Sequence, residues 1–357
     1  MKNCFKKLSI GFIAFSLIAN VFVGCTPQSS NAPKTTGASQ LTSVPKTTGA
    51  PKSAGAPQKI TVVLDWPANT NHTGMYVAKE LGYYADVGLE VNMVQAPDGD
   101  PLPMLAAGKG DFGVSSQEVL AMALSSKTPL KVTAVAALIQ HNTSGIISLK
   151  KSNVTSPKKM EGLRYGAWGY EMEKAILKSI MSRDGGDVEK VKIIPIPVTD
   201  VISALKTNID LVWIYYGWDG IAAQAKNLDF NYFDLKDYVP ELDYYTPFLA
   251  SSDAFLAKNP EVTKKFLAAT AKGYAFAVAN PIAAADLLLK YSPDTNQTIA
   301  YKSQEFLAKE YIAEAATWGQ FDAARWSQFY AWLYANKITE TDLGVNGFTN
   351  NYLSEVK

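Results

Sequence analysis

The sequence predicts an α/β protein of two lobes, with a ligand crevice between them and a helical C-terminal tail. Three observations lead there. Short apolar, β-branched runs alternate with stretches of helical spacing from Ile60 onward. The alternation falls into two cycles, the second opening at "GLRYGAW" (162–168). After residue 254 helical spacing takes over.

The elements follow in order. "ITVVLDW" (60–66) reads as strand and "GMYVAKELGYY" (74–84) as helix. "LEVNMVQ" (89–95) is strand, and "PLPMLAAG" a short helix. "DFGVSS" (111–116) is strand and "QEVLAMALSS" helix, then "LKVTAVAAL" (130–138) and "GIISLKK" (145–151) are strands. In the second cycle, helix "EKAILKSIMSRDGG" stops at Gly185 and Gly186. Strand "VKIIPI" (191–196), helix "VTDVISALKTN", strand "LVWIYY" (211–216) and helix "DGIAAQAKN" complete it. The tail contains "PEVTKKFLAATAKGYAFAVAN", "PIAAADLLLKY" and "DAARWSQFYAWLYAN". This pattern implies βαβ units and a mainly parallel sheet. It assigns residues 59–149 with 247–357 to lobe 1 and 150–246 to lobe 2. Ligands bind such sheets at the carboxyl ends of the strands.

The first 58 residues stand apart from this pattern. Lys2, Lys6 and Lys7 precede an apolar stretch from Leu8 to Val23, which makes residues 1–24 an export signal. "VFVGC" ends it, and Gly24 before Cys25 resembles a bacterial lipoprotein cleavage site, with lipid expected on Cys25. The alternative is plain secretion with a free Cys25. Residues 25–58 repeat "PKTTGA" and read as a flexible tether, because they carry too little apolar surface to offset their ordering entropy. The protein is thus expected outside the cytoplasm, lipid-anchored to the cell membrane.

Composition narrows the chemistry. A net charge of +1 offers no electrostatic case for nucleic acid. Two His and two Cys in 357 residues leave almost no material for a zinc site of the usual kind. No metal and no cofactor are expected.

Polar and aromatic residues gather after strand ends. The loop after the first strand, "DWPANTNHTG", carries Trp66, Asn69 and His72, and Tyr76 follows on the helix. "SSQE" carries Ser115, Gln117 and Glu118, and "WGYEMEK" carries Trp168 and Glu171. "YYGWDG" carries Tyr215, Tyr216, Trp218 and Asp219. The helices that follow aim their N-terminal N–H groups at the same crevice. Plainer readings stay open: Ser115, Ser116 and Thr73 as helix caps, His72 as a satisfied structural histidine, Trp213 as core. Tyr216 and Trp218 have little to pack on in a loop, and rings there usually stack on something flat.

Four motifs, "LDWPANTNHTGMYVAKELGYY", "GVSSQE", "VAALIQHNTSGIISLK" and "NIDLVWIYYGWDG", resemble the solute-binding lipoproteins of ABC importers for thiamine pyrimidine precursors. That branch is similar to a wider group related to the fungal pyrimidine-precursor synthases. The resemblance spans residues 59–357. It implies a type II periplasmic-binding fold and a ligand such as a formylaminopyrimidine or hydroxymethylpyrimidine. It also implies an ABC permease as partner, a monomer, and no enzyme activity. His72 falls where the synthases have a functional histidine. Their cysteine-rich run is replaced here by "DYYTPFL", so His72 is expected as a ligand contact.

The residues suit a flat, amine-bearing heterocycle. Tyr and Trp rings can sandwich a pyrimidine, carboxylates can accept from its amine, and amides can serve its remaining edges. Lys174 is the one basic residue in these loops, which disfavours nitrate or sulfonate. The alternatives are a binding protein for another flat heterocycle such as riboflavin, an enzyme of the pyrimidine-precursor-synthase type, and an adhesion or sensing lipoprotein.

Overall fold

The computed structural model describes residues 56–97, 99–170, 172–195 and 200–353. The export signal 1–24, Cys25, most of the tether and Glu171 lie outside the described residues. The first strand begins at Gln58, where the tether composition ends.

Two mixed five-stranded sheets take the place of the expected mainly parallel sheet. The strands are β1 (Gln58–Leu64), β2 (Leu89–Gln95), β3 (Phe112–Ser115), β4 (Val132–Ala137) and β5 (Ser144–Leu149), then β6 (Arg164–Ala167), β7 (Lys192–Pro195), β8 (Leu211–Tyr215), β9 (Phe230–Asp234) and β10 (Phe248–Ser252). The first sheet has the order β2-β1-β3-β10-β4 and the second β7-β6-β8-β5-β9. Pairs within each βα cycle are parallel. β10 runs antiparallel to β3 and β4, and β5 antiparallel to β8 and β9. These two strands enter a sheet directly after the chain crosses between lobes. No α-helix precedes them, and a parallel pairing needs a long crossover, usually helical.

The lobe boundary shifts accordingly. β5, expected in lobe 1, pairs with β8 and β9 along its length, so the outward crossing falls at 138–143 rather than 150. The return crossing occupies 235–247. The sequence reading also missed β9. Its "FNYFD" buries only Asn231 and Phe233, a period of two too short to stand out.

Lobe 1 carries α1 (Thr73–Glu80), α2 (Tyr83–Asp86), α3 (Pro101–Ala106) and α4 (Gln117–Ser125). Lobe 2 carries α5 (Glu173–Arg183), α6 (Val201–Thr207) and α7 (Ile221–Ala225). The tail adds α8 (Asp253–Lys258), α9 (Pro260–Ala279), α10 (Pro281–Leu289), α11 (Gln297–Leu307) and α12 (Ala323–Ala335). Local chemistry sets their ends. Asp200, Asn296 and Asp322 cap α6, α11 and α12 through side-chain acceptors. Gly185, at φ 72°, ends α5.

α1 crosses α9 closely because Gly74 meets the Tyr274 ring and Gly273 meets the Gly74 carbonyl, with no room for a Cβ at either glycine. One apolar cluster runs from Leu120 of lobe 1 through Tyr244, Phe329 and Trp326 to Tyr165 and Leu177 of lobe 2. α12 thus joins the two halves through burial of large rings.

Candidate ligand site in the interlobe cleft

The loop after β1 is held by its own polar groups. Asn69 caps the turn Thr70–His72, its Oδ1 accepting from the Asn71 N–H at 2.9 Å. His72 Nδ1 accepts from the Asn69 N–H at 3.3 Å, and its Nε2 then donates to Asp65 Oδ1 at 3.0 Å. His72 is fully buried with both nitrogens engaged. The expected ligand contact is therefore a structural histidine that holds Asp65. Asn69 likewise commits its amide, donating to Pro67 O at 3.0 Å. Tyr76 is buried in lobe 1, its ring 4.5 Å from that of Tyr291, and does not serve the cleft. Trp66 stands 63 % exposed beside Asp65.

After β3 the three expected residues divide. Gln117 is buried inside lobe 1: its Nε2 donates to Trp326 O at 2.8 Å and its Oε1 accepts from the Tyr245 N–H at 3.1 Å. It is corrected to a structural residue. Ser115 is buried with its hydroxyl unpartnered among the described residues. Ser116 sits at the α4 N-cap without a side-chain cap bond, and the Thr73 hydroxyl is also unpartnered, so the capping reading of these hydroxyls fails. Glu118 has a buried Oε2 with no hydrogen-bond partner among the described residues. Burial pushes its carboxyl up to about 7, and the Asp65 charge adds to this against the opposing Glu118 N–H and Ser116 hydroxyl.

After β6 a carboxylate absent from the expected set shapes the loop. Glu173 is buried and accepts from the N–H groups of Trp168, Gly169 and Tyr170 at 3.0, 2.7 and 3.0 Å, and from the Tyr165 hydroxyl at 2.8 Å. Gly169, at φ 92°, lets the loop wrap this anion. Trp168 is half-buried and donates its indole N–H to Trp213 O at 2.8 Å, so it ties the loop to β8. Tyr170 is left 62 % exposed, its ring 6.4 Å from Trp213 and edge-on.

The aromatic run of β8 splits by direction. Trp213 is buried in the core, but its indole N–H has no partner among the described residues. Tyr215 lies 6.2 Å from it, ring to ring, on the same side of the strand. The Tyr215 ring is 38 % exposed, yet its hydroxyl lies deep enough for burial, then the Glu118 charge, to push it up.

Tyr216 turns away from the cleft. Its ring lies 4.7 Å from Tyr232 and 5.3 Å from Phe306, and its hydroxyl accepts from Gln224 Nε2 at 2.6 Å. It is corrected to a packing residue. A π-helical turn, Tyr216–Gly220, carries Trp218 and Asp219, both half-buried. Burial alone pushes Asp219 up to about 6.

Three residues missed in the sequence complete the wall. Tyr244 is fully buried on the return crossing, stacked on Phe329 at 4.1 Å, its hydroxyl near that of Tyr215 but without a well-formed hydrogen bond among the described residues. The Tyr330 hydroxyl from α12 is also buried and without a partner among the described residues. Thr246 Oγ1 lies 3.5 Å from the Tyr215 hydroxyl. Burial first, then the Glu118 carboxylate, raises the phenols of Tyr170, Tyr244 and Tyr330. Glu118 therefore sits among hydroxyls from both lobes. Among the described residues no lysine or arginine is a cause of the shifts of Glu118 or these phenols. A wall with a desolvated carboxylate, orphaned donors and exposed rings suits a small, flat molecule that offers both hydrogen-bond donors and acceptors. Among the described residues no group of three or more His, Cys, Asp or Glu is placed to hold a metal ion.

The family model NMT1/THI5 like matches residues 69–284. The chain belongs to the NMT1/THI5-like family. Within this family it is similar to the formylaminopyrimidine-binding protein of Halalkalibacterium halodurans, 30 % identical over 290 residues, 79 % of this chain and 87 % of that one. It is also similar to the 4-amino-5-hydroxymethyl-2-methylpyrimidine phosphate synthase of Legionella pneumophila, 26 % identical over 68 % of this chain and 77 % of that one. Its fold is that of the periplasmic aliphatic sulphonate binding protein of Escherichia coli, at TM-score 0.63 and 16 % identity over 81 % of this chain and 96 % of that one. The NMT1/THI5-like chain thus has the expected type II periplasmic-binding fold. No described helix is long and apolar enough to cross a membrane.

Proposed function

We propose that this chain is an extracytoplasmic solute-binding protein that captures a thiamine pyrimidine precursor, of the formylaminopyrimidine or hydroxymethylpyrimidine type, and delivers it to an ABC permease. The observation that carries this reading is Glu118, whose buried Oε2 has no partner among the described residues and whose charge acts on the hydroxyls of Tyr170, Tyr215, Tyr244 and Tyr330, with no lysine or arginine among the described residues acting on it. A 4-aminopyrimidine offers an amine donor to the carboxylate, ring nitrogens to the hydroxyls, and a flat face to Tyr215, Trp218 and Trp66. A sulfonate, nitrate or phosphate ester would meet desolvated carboxylates instead of cations. The name of the Halalkalibacterium halodurans relative supports the same ligand class.

The reading as a binder and not an enzyme is supported by His72, whose ring nitrogens both face protein partners. We further place the protein on the membrane as a monomer through lipid on Cys25. The basic start, the apolar stretch to Val23 and the Gly24–Cys25 junction support the anchor. Cys25→Ser should move the protein into the soluble fraction; retention with the membrane would reject it.

Isothermal titration with 4-amino-5-hydroxymethyl-2-methylpyrimidine, its formylaminomethyl analogue, its phosphate ester, riboflavin, an alkanesulfonate and nitrate tests the ligand class. We expect heat with the unphosphorylated pyrimidines alone. Binding of the sulfonate or nitrate, or no heat with any pyrimidine, overturns the reading.

A further inference from the structure

The chain of hydroxyls behind the cleft has no part in the ligand site described above. Ser303, on α11, is fully buried. Its Oγ lies 2.6 Å from Thr70 Oγ1 and donates to the carbonyl of Gly217. A serine has one hydrogen to give, so the Thr70 hydroxyl must be the donor to Ser303. Thr70 is itself anchored, its carbonyl accepting from the Tyr311 hydroxyl at 2.6 Å. The order is therefore Tyr311 to Thr70, Thr70 to Ser303, and Ser303 to Gly217, each hydroxyl donating once.

The two ends of this chain are the two sides of the cleft. Thr70 belongs to the turn that carries His72 and so holds Asp65. Gly217 belongs to the π-helical turn of lobe 2 that carries Trp218 and Asp219. Packing reinforces the contact. A Cβ on Gly217 would stand 2.9 Å from Leu307 Cδ2, so a larger residue would push that side chain aside where the turn seats on α11. One residue earlier, the Tyr216 ring rests on Phe306. This accounts for the aromatic residue that the sequence left without a partner.

We propose that Ser303 is a positioning residue for ligand capture: it sets the spacing of the Asp65–His72 loop against the Trp218–Asp219 turn by bridging Thr70 to Gly217, without touching the ligand. Its affinity effect rests on the function proposed above; its effect on the turn does not. If the bridge holds the lobes at binding distance, cutting it lowers the population of the competent arrangement, and apparent affinity falls by that fraction.

The experiment uses the full chain and three variants: Ser303→Ala, Thr70→Val and Thr70→Ser. Thr70→Val keeps the shape and removes the hydroxyl, whereas Thr70→Ser keeps the hydroxyl. Hydrogen–deuterium exchange of residues 216–222 is measured without ligand. The dissociation constant for 4-amino-5-hydroxymethyl-2-methylpyrimidine is measured well below the melting temperature. We expect faster exchange at 216–222 in Ser303→Ala and Thr70→Val, although Thr70 lies in the other lobe, and near wild-type exchange in Thr70→Ser. Affinity should fall about fivefold in the first two, the effect of one net hydrogen bond, and recover in Thr70→Ser. A destabilisation confined to folding would leave the dissociation constant unmoved while the protein stays native. Unchanged exchange at 216–222 in both Ser303→Ala and Thr70→Val overturns the bridge. Faster exchange with unchanged affinity overturns its role in capture. If the wild type binds no pyrimidine, the proposed function fails, and the exchange data alone decide whether Ser303 ties the two loops together.

Discussion

His72 Nε2 donates to Asp65 Oδ1 at 3.0 Å while His72 Nδ1 accepts from the backbone of Asn69 at 3.3 Å, so one buried ring closes the loop after β1 and points a carboxylate at the cleft. His72→Leu removes both bonds and leaves the Asn69 N–H without its acceptor. Urea unfolding should show a loss of about 1–3 kcal/mol. Ligand affinity should fall by no more than about tenfold, one lost interaction through Asp65. A collapse of affinity with stability intact would place His72 against the ligand after all.

Glu118 makes stability and binding oppose each other. Burial raises its carboxyl to about 7, above the ordinary carboxylate value. Between those two values the folded protein holds a proton that the unfolded chain has released. Its stabilisation is therefore complete at low pH and is lost as pH rises toward 7. Glu118→Gln removes this dependence. The unliganded variant should match wild type near pH 4 and exceed it at pH 8 by about 1–3 kcal/mol, from roughly 1.4 kcal/mol for each pH unit that separates the folded and unfolded values. The same variant should bind 4-amino-5-hydroxymethyl-2-methylpyrimidine at least about tenfold more weakly, the effect of losing a charge-assisted bond. Parallel urea series at both pH values decide it; identical pH slopes for the two proteins would mean a hydrated Glu118.

His141 clamps the crossings in the same pH sense, at a higher pH range. It lies on the outward crossing, with Nδ1 2.6 Å from Asp243 on the return crossing and Nε2 2.8 Å from Glu314 of the tail. Asp243 first, with Glu314, raises its pKa against burial and the neighbouring Arg325; Glu310 faces the same group. Because the folded value is raised, the stabilisation is full below the ordinary histidine range and is lost as pH climbs through the raised value. His141→Gln should be destabilised by about 1.5 kcal/mol at pH 6, the low end for bonds to charged groups because Glu314 is largely exposed. At pH 9 the deficit should vanish. A constant deficit across that range would mean a neutral His141.

The strand ends that frame the candidate cleft were legible one at a time. A junction where a strand ends and a helix starts brings its residues to one edge of the sheet, and Trp66, Glu118, Tyr215, Trp218 and Asp219 lie at or beside such junctions. Which of their neighbours turn inward was not legible. Gln117 and Glu118 are adjacent, yet one amide is fully engaged by Tyr245 and Trp326 while the next carboxylate has one oxygen, Oε2, without a partner among the described residues. Those partners lie more than a hundred residues away, and no local spacing encodes them. Tyr244, in "DYYTPFL", looked like a mere substitution for cysteines until the return crossing carried it to where the Glu118 charge acts on its hydroxyl.

By itself the sequence determined the composition break at Gln58, the alternation of strands and helices, and the loops that could meet a ligand, because propensity, period and turn chemistry are local. Only the tertiary structure decided the reversal of β5 and β10, the seat of Tyr216 on α11, and the Thr70–Ser303–Gly217 bridge. These depend on contacts between residues far apart in the chain, which close packing selects after the elements exist.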